Sequence, residues 1–239
     1  MSPVAAARAV LIDIDGVLVD HRSAADKASY LWASTLPGWE LGPQETADLW
    51  EALDRKHFLR YQLGETDFNG QLEARIREFV PGGSRLDAAE VEAHVRAYHN
   101  IYAGQWCAYD DVPDFLAGLA AAQATRAASD NPLRVAYLTN GSEPFQREKL
   151  AAVDALVPGW PVLASVQLGM AKPDPGIFLE ACARLGVEPG QALMIGDDAW
   201  VDIDGARRAG VPVIYLRRDA QAPAREVTTV SSLAQIRMA

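Results

Sequence analysis

The sequence predicts an α/β protein with a parallel sheet, into which a helical domain is inserted after the first strand. Short apolar runs alternate with helical patterns through the second half of the chain, as repeated βαβ units require. Residues 20–106 differ, because they hold no convincing strand and are rich in helix formers and aromatic residues. We therefore expect a catalytic core formed by residues 1–19 and 107–239, and a separate helical domain at residues 20–106.

The strands are predicted from apolar runs that read as buried on both faces, as in a parallel sheet. The first run, AVLIDI at residues 9–14, ends in acids and a glycine. Later runs are RVAYL (134–138), PVLASV (161–166), ALMI (192–195) and VPVIYL (211–216).

The helices are predicted from apolar periodicity and from start and stop signals. In the core we expect helices at 114–128, 143–153, 174–185 and 199–209; prolines open the third, and Gly186 closes it. Helical stretches in the inserted domain lie at 30–36, 45–63, 68–80 and 87–103. Asp87 and Glu90 resemble a capping box at the start of the last one.

The composition argues against several classes of partner. The net charge of -10 comes from 22 basic against 32 acidic residues, which disfavours binding to nucleic acid or to an anionic membrane. Cys107 and Cys182 are far apart and form no zinc or disulfide pattern. Neither a signal peptide nor a bilayer-spanning apolar run is recognisable. We expect a soluble, reduced, cytoplasmic protein.

Reactive side chains follow three of the predicted strands. Asp13 and Asp15 follow the first strand, Thr139 and Asn140 end the second, and Asp197 follows a later one. Lys172 lies on another connection, just before Pro173. Because ligands bind at the carboxyl ends of the strands in open parallel sheets, we expect these groups to converge.

Such a convergence has a chemical logic. Carboxylates that crowd together repel unless a cation joins them, and hard oxygen ligands suit Mg²⁺. A carboxylate can attack phosphorus to form an aspartyl-phosphate, and a second carboxyl two residues on can protonate the leaving oxygen and later activate water. Lys172 and the Thr139 hydroxyl would neutralise and orient a phosphoryl group.

Four segments together, DIDGV, TNG, AKPDP and GDDAWVD, resemble in type and order the four motifs of the haloacid dehalogenase superfamily. The helical stretch resembles the cap of the subfamily in which the cap is inserted after the first motif. The resemblance implies a three-layer, Rossmann-like core with a helical cap. Two positions depart from the usual pattern: Val17 stands where relatives often have Thr, and Val201 where they often have Asn.

The resemblance also implies residue roles. It makes Asp13 the nucleophile and a metal ligand, and Asp15 the general acid/base, whose backbone carbonyl also contacts the metal. Lys172 would stabilise the charge on the nucleophile and on the phosphoryl group. The remaining roles are phosphate binding by Thr139 with help from Asn140, metal binding by Asp197, and support of the metal site or of Lys172 by Asp202.

The tetrapeptide DIDG occurs twice, at 13–16 and again at 202–205. In the predicted helix 199–209, Asp202 and Asp204 point about 200° apart at roughly 100° per residue, so they cannot face one metal ion. We expect Asp202 to serve the site, Asp204 to be solvated and Asp198 to cap the helix rather than bind metal.

These inferences predict a magnesium-dependent phosphatase that hydrolyses a small phosphate monoester, such as a nucleotide, a sugar phosphate or a similar metabolite, through an aspartyl-phosphate on Asp13. The TNG motif followed by QREKL (146–150) resembles nucleotidases and sugar-phosphate phosphatases. A phosphomutase of the β-phosphoglucomutase type and a non-catalytic phosphate-binding protein remain alternatives. Haloacid dehalogenases lack the second acid, so Asp15 argues against that activity. A monomer or a homodimer is expected.

Overall fold

The computed structural model describes residues 3–219 and 225–238, and the chain divides into two units. The core unit is formed by Met1–Val19 with Ala108–Ala239. The insert unit is formed by Asp20–Cys107. These boundaries fall within one residue of the division that the sequence suggests.

The core unit is built on a six-stranded sheet in the order β3-β2-β1-β4-β5-β6, in which every neighbouring pair is parallel. This is the strand order of doubly wound nucleotide-binding folds, so the predicted Rossmann-like α/β architecture is confirmed. The strands are β1 (Ala9–Ile12), β2 (Arg134–Thr139), β3 (Val162–Ala164), β4 (Ala192–Gly196), β5 (Val213–Leu216) and β6 (Thr228–Val230).

The described helices fall into two sets, and none combines the length and apolar content that a bilayer crossing needs. The core unit contains α1 (Pro3–Ala6), α6 (Val112–Arg126), α7 (Glu143–Ala152), α8 (Ser165–Leu168), α9 (Pro175–Leu185) and α10 (Gly205–Arg208). The insert unit contains α2 (His21–Ala33), α3 (Pro43–Gln62), α4 (Phe68–Phe79) and α5 (Ala88–Ala103). Short 3₁₀ turns lie at Gly83–Arg85, Pro189–Gln191 and Leu233–Gln235.

Helices cover both faces of the sheet. Along β1, Val10 and Ile12 belong to one apolar cluster together with side chains of α6 and α7. Ala9 and Leu11 belong to a second cluster with side chains of α9. All four β1 residues are fully buried, which explains why this strand reads as a continuous apolar run rather than as an alternating one.

Strand β6 was not predicted from the sequence. It is three residues long, lies at the edge of the sheet beside β5, and is mostly exposed. A short edge strand with two exposed threonines has neither the length nor the apolar content by which a buried strand is recognised.

The register of the sheet sets the ends of the central strands side by side. Ile12 of β1 pairs with Tyr137 of β2 on one side and with Ile195 of β4 on the other. The backbone N–H of Asp13 continues the ladder and donates to the carbonyl of Ile195 at 3.0 Å. The residues that follow β1 and β4 therefore emerge together, at the point where the strand order reverses.

The insert unit has an aromatic core. Trp32 is stacked on Phe79 with ring centroids 5.2 Å apart, and the indole N–H of buried Trp50 donates to the Tyr98 hydroxyl at 3.0 Å. The capping box at the start of α5 is confirmed, because the Asp87 carboxylate accepts from the Glu90 N–H, and the Glu90 carboxylate from the Asp87 N–H.

Each unit closes on itself where the two connect. In the insert unit, the N–H of its first residue, Asp20, donates to the carbonyl of its last residue, Cys107, at 2.9 Å. In the core unit, Val19 and Ala108 form an antiparallel bridge. The chain thus leaves the core unit and returns to it at neighbouring points.

Two buried tyrosines of the sheet provide a matched test of stability. The Tyr137 hydroxyl donates to the Ala155 carbonyl at 2.7 Å and accepts from the Val157 N–H at 3.0 Å. The Tyr215 hydroxyl is also buried but has no partner among the described residues. We expect Tyr137→Phe to lower the free energy of unfolding by about 1–3 kcal/mol, because it leaves buried backbone groups unpaired. Tyr215→Phe should be neutral or stabilising. Urea denaturation measures both, and equal losses would contradict this view.

Candidate active site

A buried ammonium group lies at the centre of the site. The Nζ atom of Lys172 is 2.7 Å from Oδ1 of Asp13 and 2.7 Å from Oδ1 of Asp202. All three residues are at least nine-tenths buried. The structure thus joins the first, third and fourth sequence motifs through one cation.

The Lys172 backbone is held by the side chain of Asn140. Oδ1 of Asn140 accepts from the Lys172 N–H at 2.8 Å, and Nδ2 donates to the Lys172 carbonyl at 2.7 Å. The sequence predicts that Asn140 helps to bind phosphate. In the structure both polar atoms of its carboxamide bond to Lys172, so Asn140 fixes the loop from which that ammonium group extends.

Asp202 supports the turn that follows β4. Its Oδ2 atom accepts from the backbone N–H groups of Asp197 and Asp198, at 3.2 Å each. A side chain at Gly196 would start 2.3 Å from Cβ of Asp202, so a glycine is required for this close approach. Asp202 therefore links Lys172 to the Asp197 loop, consistent with its predicted supporting role.

The helix predicted at 199–209 is not a regular α-helix, and this expectation is corrected. Residues Ala199–Asp204 form a π-helical turn, in which the Ile203 N–H donates to the carbonyl of Asp198, and α10 follows. Such wide turns are frequent at functional sites. Here the wide turn carries the buried Asp202 carboxylate.

The two acids beside Asp202 have separate partners. Asp198 caps the turn, since its Oδ1 accepts from the N–H groups of Trp200 and Val201 at 2.8 and 2.7 Å. Asp204, which was expected to be solvated, instead pairs with Arg225 at 3.1 Å. The second DIDG copy therefore contributes one residue to the site, whereas both acids of the first copy lie at the end of β1.

Burial and mutual repulsion perturb the ionisation of this cluster. Burial, reinforced by the charge of Asp202, raises the pKa of Asp13 to about 7. Burial and the Asp13 charge also raise the pKa of Asp197. For Lys172, burial alone would lower the pKa, but the charges of Asp13 and Asp202 outweigh it and raise the pKa. One ammonium group therefore only partly compensates three acids, which favours a further cation.

The acids can hold a metal ion. One carboxylate oxygen each from Asp13, Asp197 and Asp202 lies within 4.8 Å of the others. Asp202 already accepts three hydrogen bonds, one on Oδ1 and two on Oδ2, whereas Asp13 accepts one from Lys172, so Asp13 and Asp197 are the better candidates for metal ligands. All are hard oxygen donors of the kind that Mg²⁺ prefers. The residues thus fit the predicted magnesium ion, and the role of the Asp15 backbone carbonyl stays a prediction.

Gly16 leaves room for one of these carboxylates. It adopts φ +81°, and a Cβ atom at this position would lie 2.0 Å from Oδ2 of Asp197. The glycine of the first motif therefore permits both the turn after Asp15 and the approach of the β4 loop to the β1 loop.

Asp15 points to partners that were not assigned from the sequence. Its Oδ1 atom accepts from Nζ of Lys149 at 2.7 Å, and its Oδ2 atom from Nε2 of Gln146 at 2.9 Å. Both partners are buried on α7. Their spacing of three residues within QREKL places them on one helix face. This spacing is the sequence feature that could have indicated a shared partner.

Thr139 is the last residue of β2 and is almost fully buried, at 1% exposure. It therefore lies at the same end of the sheet as Asp13. Its expected hydrogen bond to phosphate stays a prediction.

Comparisons with known proteins agree with this geometry. The sequence model of the haloacid dehalogenase-like hydrolase family matches residues 7–210 of this chain. The chain is 34% identical to a glyceraldehyde 3-phosphate phosphatase of Methanopyrus kandleri over 67% of this chain and 70% of that protein. It is 28% identical to the N-acylneuraminate-9-phosphatase of Mus musculus over 90% of this chain and 85% of that protein. A phosphoserine phosphatase of Thermus thermophilus is 42% identical over 36% of this chain and 34% of that protein.

Solved structures share the fold. A HAD-hydrolase from Bacillus subtilis bound to magnesium gives a TM-score of 0.78 at 18% identity, covering 96% of each chain. A defluorinating L-2-haloacid dehalogenase gives a TM-score of 0.72 at 22% identity, covering 98% of each chain. At these identities the likeness concerns the architecture alone.

The raised pKa of Asp13 predicts a pH dependence of stability. The unfolded chain releases this proton near the usual pKa of 3.8, but the metal-free fold keeps it until about pH 7. Between these values the fold binds more protons, so the free energy of unfolding falls as the pH rises. We expect Asp13→Asn to make this fall shallower. Urea denaturation in EDTA at several pH values measures it; identical slopes for variant and wild type would refute the prediction.

The close approach at Gly16 predicts a selective loss of metal affinity. Gly159 has a similar φ of +85° but no atom within 4 Å of an added Cβ, so it is a matched control. We expect both Gly→Ala variants to lose about 1–2 kcal/mol of stability from backbone strain. Gly16→Ala alone should lose Mg²⁺ affinity, by about 10-fold or more, because it displaces Asp197. Titration calorimetry with MgCl₂ measures this, and equal affinities would contradict the assignment.

Proposed function

The chain belongs to the haloacid dehalogenase-like hydrolases, and we propose that it is a magnesium-dependent phosphatase that acts on a small phosphate monoester. The observation that carries the proposal is the separation of two carboxylates from one loop. Asp13 faces the buried Lys172, whereas Asp15 faces Gln146 and Lys149. Two acids with different environments can take different chemical roles.

In the first step, a carboxylate oxygen of Asp13 attacks phosphorus. The bond between phosphorus and the ester oxygen breaks, and the leaving oxygen takes a proton from the Asp15 carboxyl. The products are a free alcohol, an aspartyl-phosphate on Asp13 and an Asp15 carboxylate. Lys172 lies 2.7 Å from Asp13, where its positive charge stabilises the negative charge on the phosphoryl oxygens.

In the second step, water attacks phosphorus of the aspartyl-phosphate and gives a proton to the Asp15 carboxylate. The bond between phosphorus and the Asp13 oxygen breaks, which releases inorganic phosphate and restores both acids to their starting state. We assign to the buried Thr139 hydroxyl a hydrogen bond to a phosphoryl oxygen. We assign to Asn140 the positioning of Lys172 through its backbone.

A magnesium ion held by Asp13 and Asp197, with the Asp15 carbonyl as a further ligand, would neutralise phosphoryl charge and orient the phosphoryl group. Asp202 supports this arrangement by accepting hydrogen bonds from the Lys172 ammonium group and from the backbone N–H groups of Asp197 and Asp198.

The second acid favours a phosphatase over a dehalogenase. An alkoxide leaving group is a strong base and needs a proton, whereas a halide ion does not. The three relatives described above are named as phosphatases of phosphorylated small molecules. We therefore propose a small phosphorylated metabolite as the substrate, with the insert unit acting as the cap that selects it.

The test is phosphate release from a panel of phosphate monoesters, with Mg²⁺ and then with EDTA. Asp13→Asn removes the nucleophile, and we expect a loss of kcat of at least about 10³-fold. Asp204→Asn is the matched control, because it changes an aspartate of the second DIDG copy, which pairs with Arg225. It should retain wild-type release.

Release that depends on both metal and Asp13 supports the proposal. Release by Asp13→Asn at the wild-type rate would overturn it. If no ester is hydrolysed by the wild type, the phosphatase proposal fails, and isomerisation of β-glucose 1-phosphate then tests the mutase alternative.

A further inference from the structure

We propose that Lys149 and Gln146 are positioning residues for the general acid/base, and that they fix the Asp15 carboxyl group in the orientation used for proton exchange. The inference rests on the proposed function, in which Asp15 protonates the leaving oxygen. It adds two residues of α7 that none of the four sequence motifs contains.

The contacts constrain the carboxyl group at two points. Lys149 donates to Oδ1 of Asp15 at 2.7 Å, and Gln146 donates to Oδ2 at 2.9 Å. One donor alone would leave the group free to turn about its Cβ–Cγ bond, whereas two donors on different oxygens define its plane. A carboxylate oxygen can accept more than one hydrogen bond, so these two donors do not prevent Asp15 from exchanging a proton.

The burial of Lys149 distinguishes it from a solvated helix residue. Its side chain is 3% exposed, against 45% for Arg147 on the same helix. Its Nζ atom also lies 5.4 Å from the ring centroid of Phe145. A buried ammonium is unfavourable unless it is paired with an anion, and the anion here is the Asp15 carboxylate, the form of Asp15 that takes a proton from water in the second step.

The orientation of the Gln146 amide is set by Asp15. Its nitrogen faces the carboxylate, although this leaves its Oε1 atom buried and with no partner among the described residues. A Cβ atom at Gly141 would lie 3.2 Å from this nitrogen. The glycine of the TNG motif thus leaves space for the Gln146 amide.

Gly141 is itself held by the segment after β3. Its N–H donates to the Ser165 hydroxyl at 2.8 Å, and its carbonyl accepts from the Val166 N–H at 3.1 Å. Hydrogen bonds therefore hold Gly141 to the segment after β3, and the space that Gly141 leaves open is next to the Gln146 amide that donates to Asp15.

The experiment compares kcat/KM for phenyl phosphate and p-nitrophenyl phosphate, two esters of similar shape. Phenol is the poorer leaving group and depends more on protonation. We expect Lys149→Met and Gln146→Leu to lower the phenyl-to-nitrophenyl ratio of kcat/KM by about 10-fold, because a displaced Asp15 protonates the leaving oxygen less effectively. Lys149→Arg, which keeps a donor, should restore part of the ratio.

The matched control is Arg147→Met, which removes one positive charge from the exposed face of α7, where Arg147 pairs with Glu143 at 3.0 Å. It should leave the ratio unchanged. The ratio does not depend on the fraction of enzyme that is folded, because that fraction cancels between the two esters. A purely structural role of Lys149 would therefore leave it unaltered. If Lys149→Met does not fold, Gln146→Leu provides the same test without loss of a charge.

The outcomes separate the two proposals. A wild-type protein that hydrolyses both esters, with Lys149→Met and Gln146→Leu variants of unchanged ratio, would overturn the positioning role and leave the phosphatase intact. A wild-type protein that hydrolyses neither these two esters nor any other ester of the panel would overturn both.

Discussion

The Lys172 ammonium group is the interaction on which the rest of the site depends. The parallel sheet brings acidic loops from β1 and β4 to one edge, where their carboxylates repel one another in a buried setting. Lys172 offsets part of this repulsion by contacting Asp13 and Asp202 directly. Removing one member of such a buried pair costs more than the pair itself contributes, because the remaining charge is left uncompensated. The Asn140 side chain holds the backbone of Lys172, and the wide turn at 199–204 holds Asp202. Both therefore stabilise the contact between Lys172 and Asp202.

The two DIDG segments show how far identical residues depend on their setting. At the end of a buried strand, the tetrapeptide delivers two acids and a glycine whose missing side chain admits Asp197. In a π-helical turn, the same letters send Asp202 inward to Lys172 and Asp204 towards Arg225. A Cβ atom added at its glycine, Gly205, would lie 2.9 Å from Phe178 and 3.1 Å from Pro173, so this glycine permits close helix packing instead. The local backbone conformation sets the directions in which successive side chains point, and these directions decide which acids can converge.

Much of this arrangement could be predicted because it depends on local patterns. The buried strands and the convergence of Asp13 and Lys172 follow from apolar runs and from the geometry of parallel sheets. The role of Asp202 is inferred from the resemblance to the fourth family motif. The partners of Asp15 could not be predicted in this way. Lys149 and Gln146 lie more than 130 positions away in the chain, and on a helix such residues normally read as a solvated face. Their burial is decided by how α7 packs on the sheet. Strand β6 could not be predicted because it is short and exposed at the edge of the sheet, where a strand needs little apolar content.

The closure of each unit at its boundary has a consequence for the length of the inserted segment. Asp20 and Cys107 are hydrogen-bonded to each other, and Val19 bridges Ala108, so the core unit presents two adjacent chain ends that almost any folded segment with close termini can join. The entropy of closing such a loop grows only slowly with its length. A change in the length of the segment between residues 20 and 107 therefore needs little adjustment of the sheet, because the two chain ends of the core unit stay side by side.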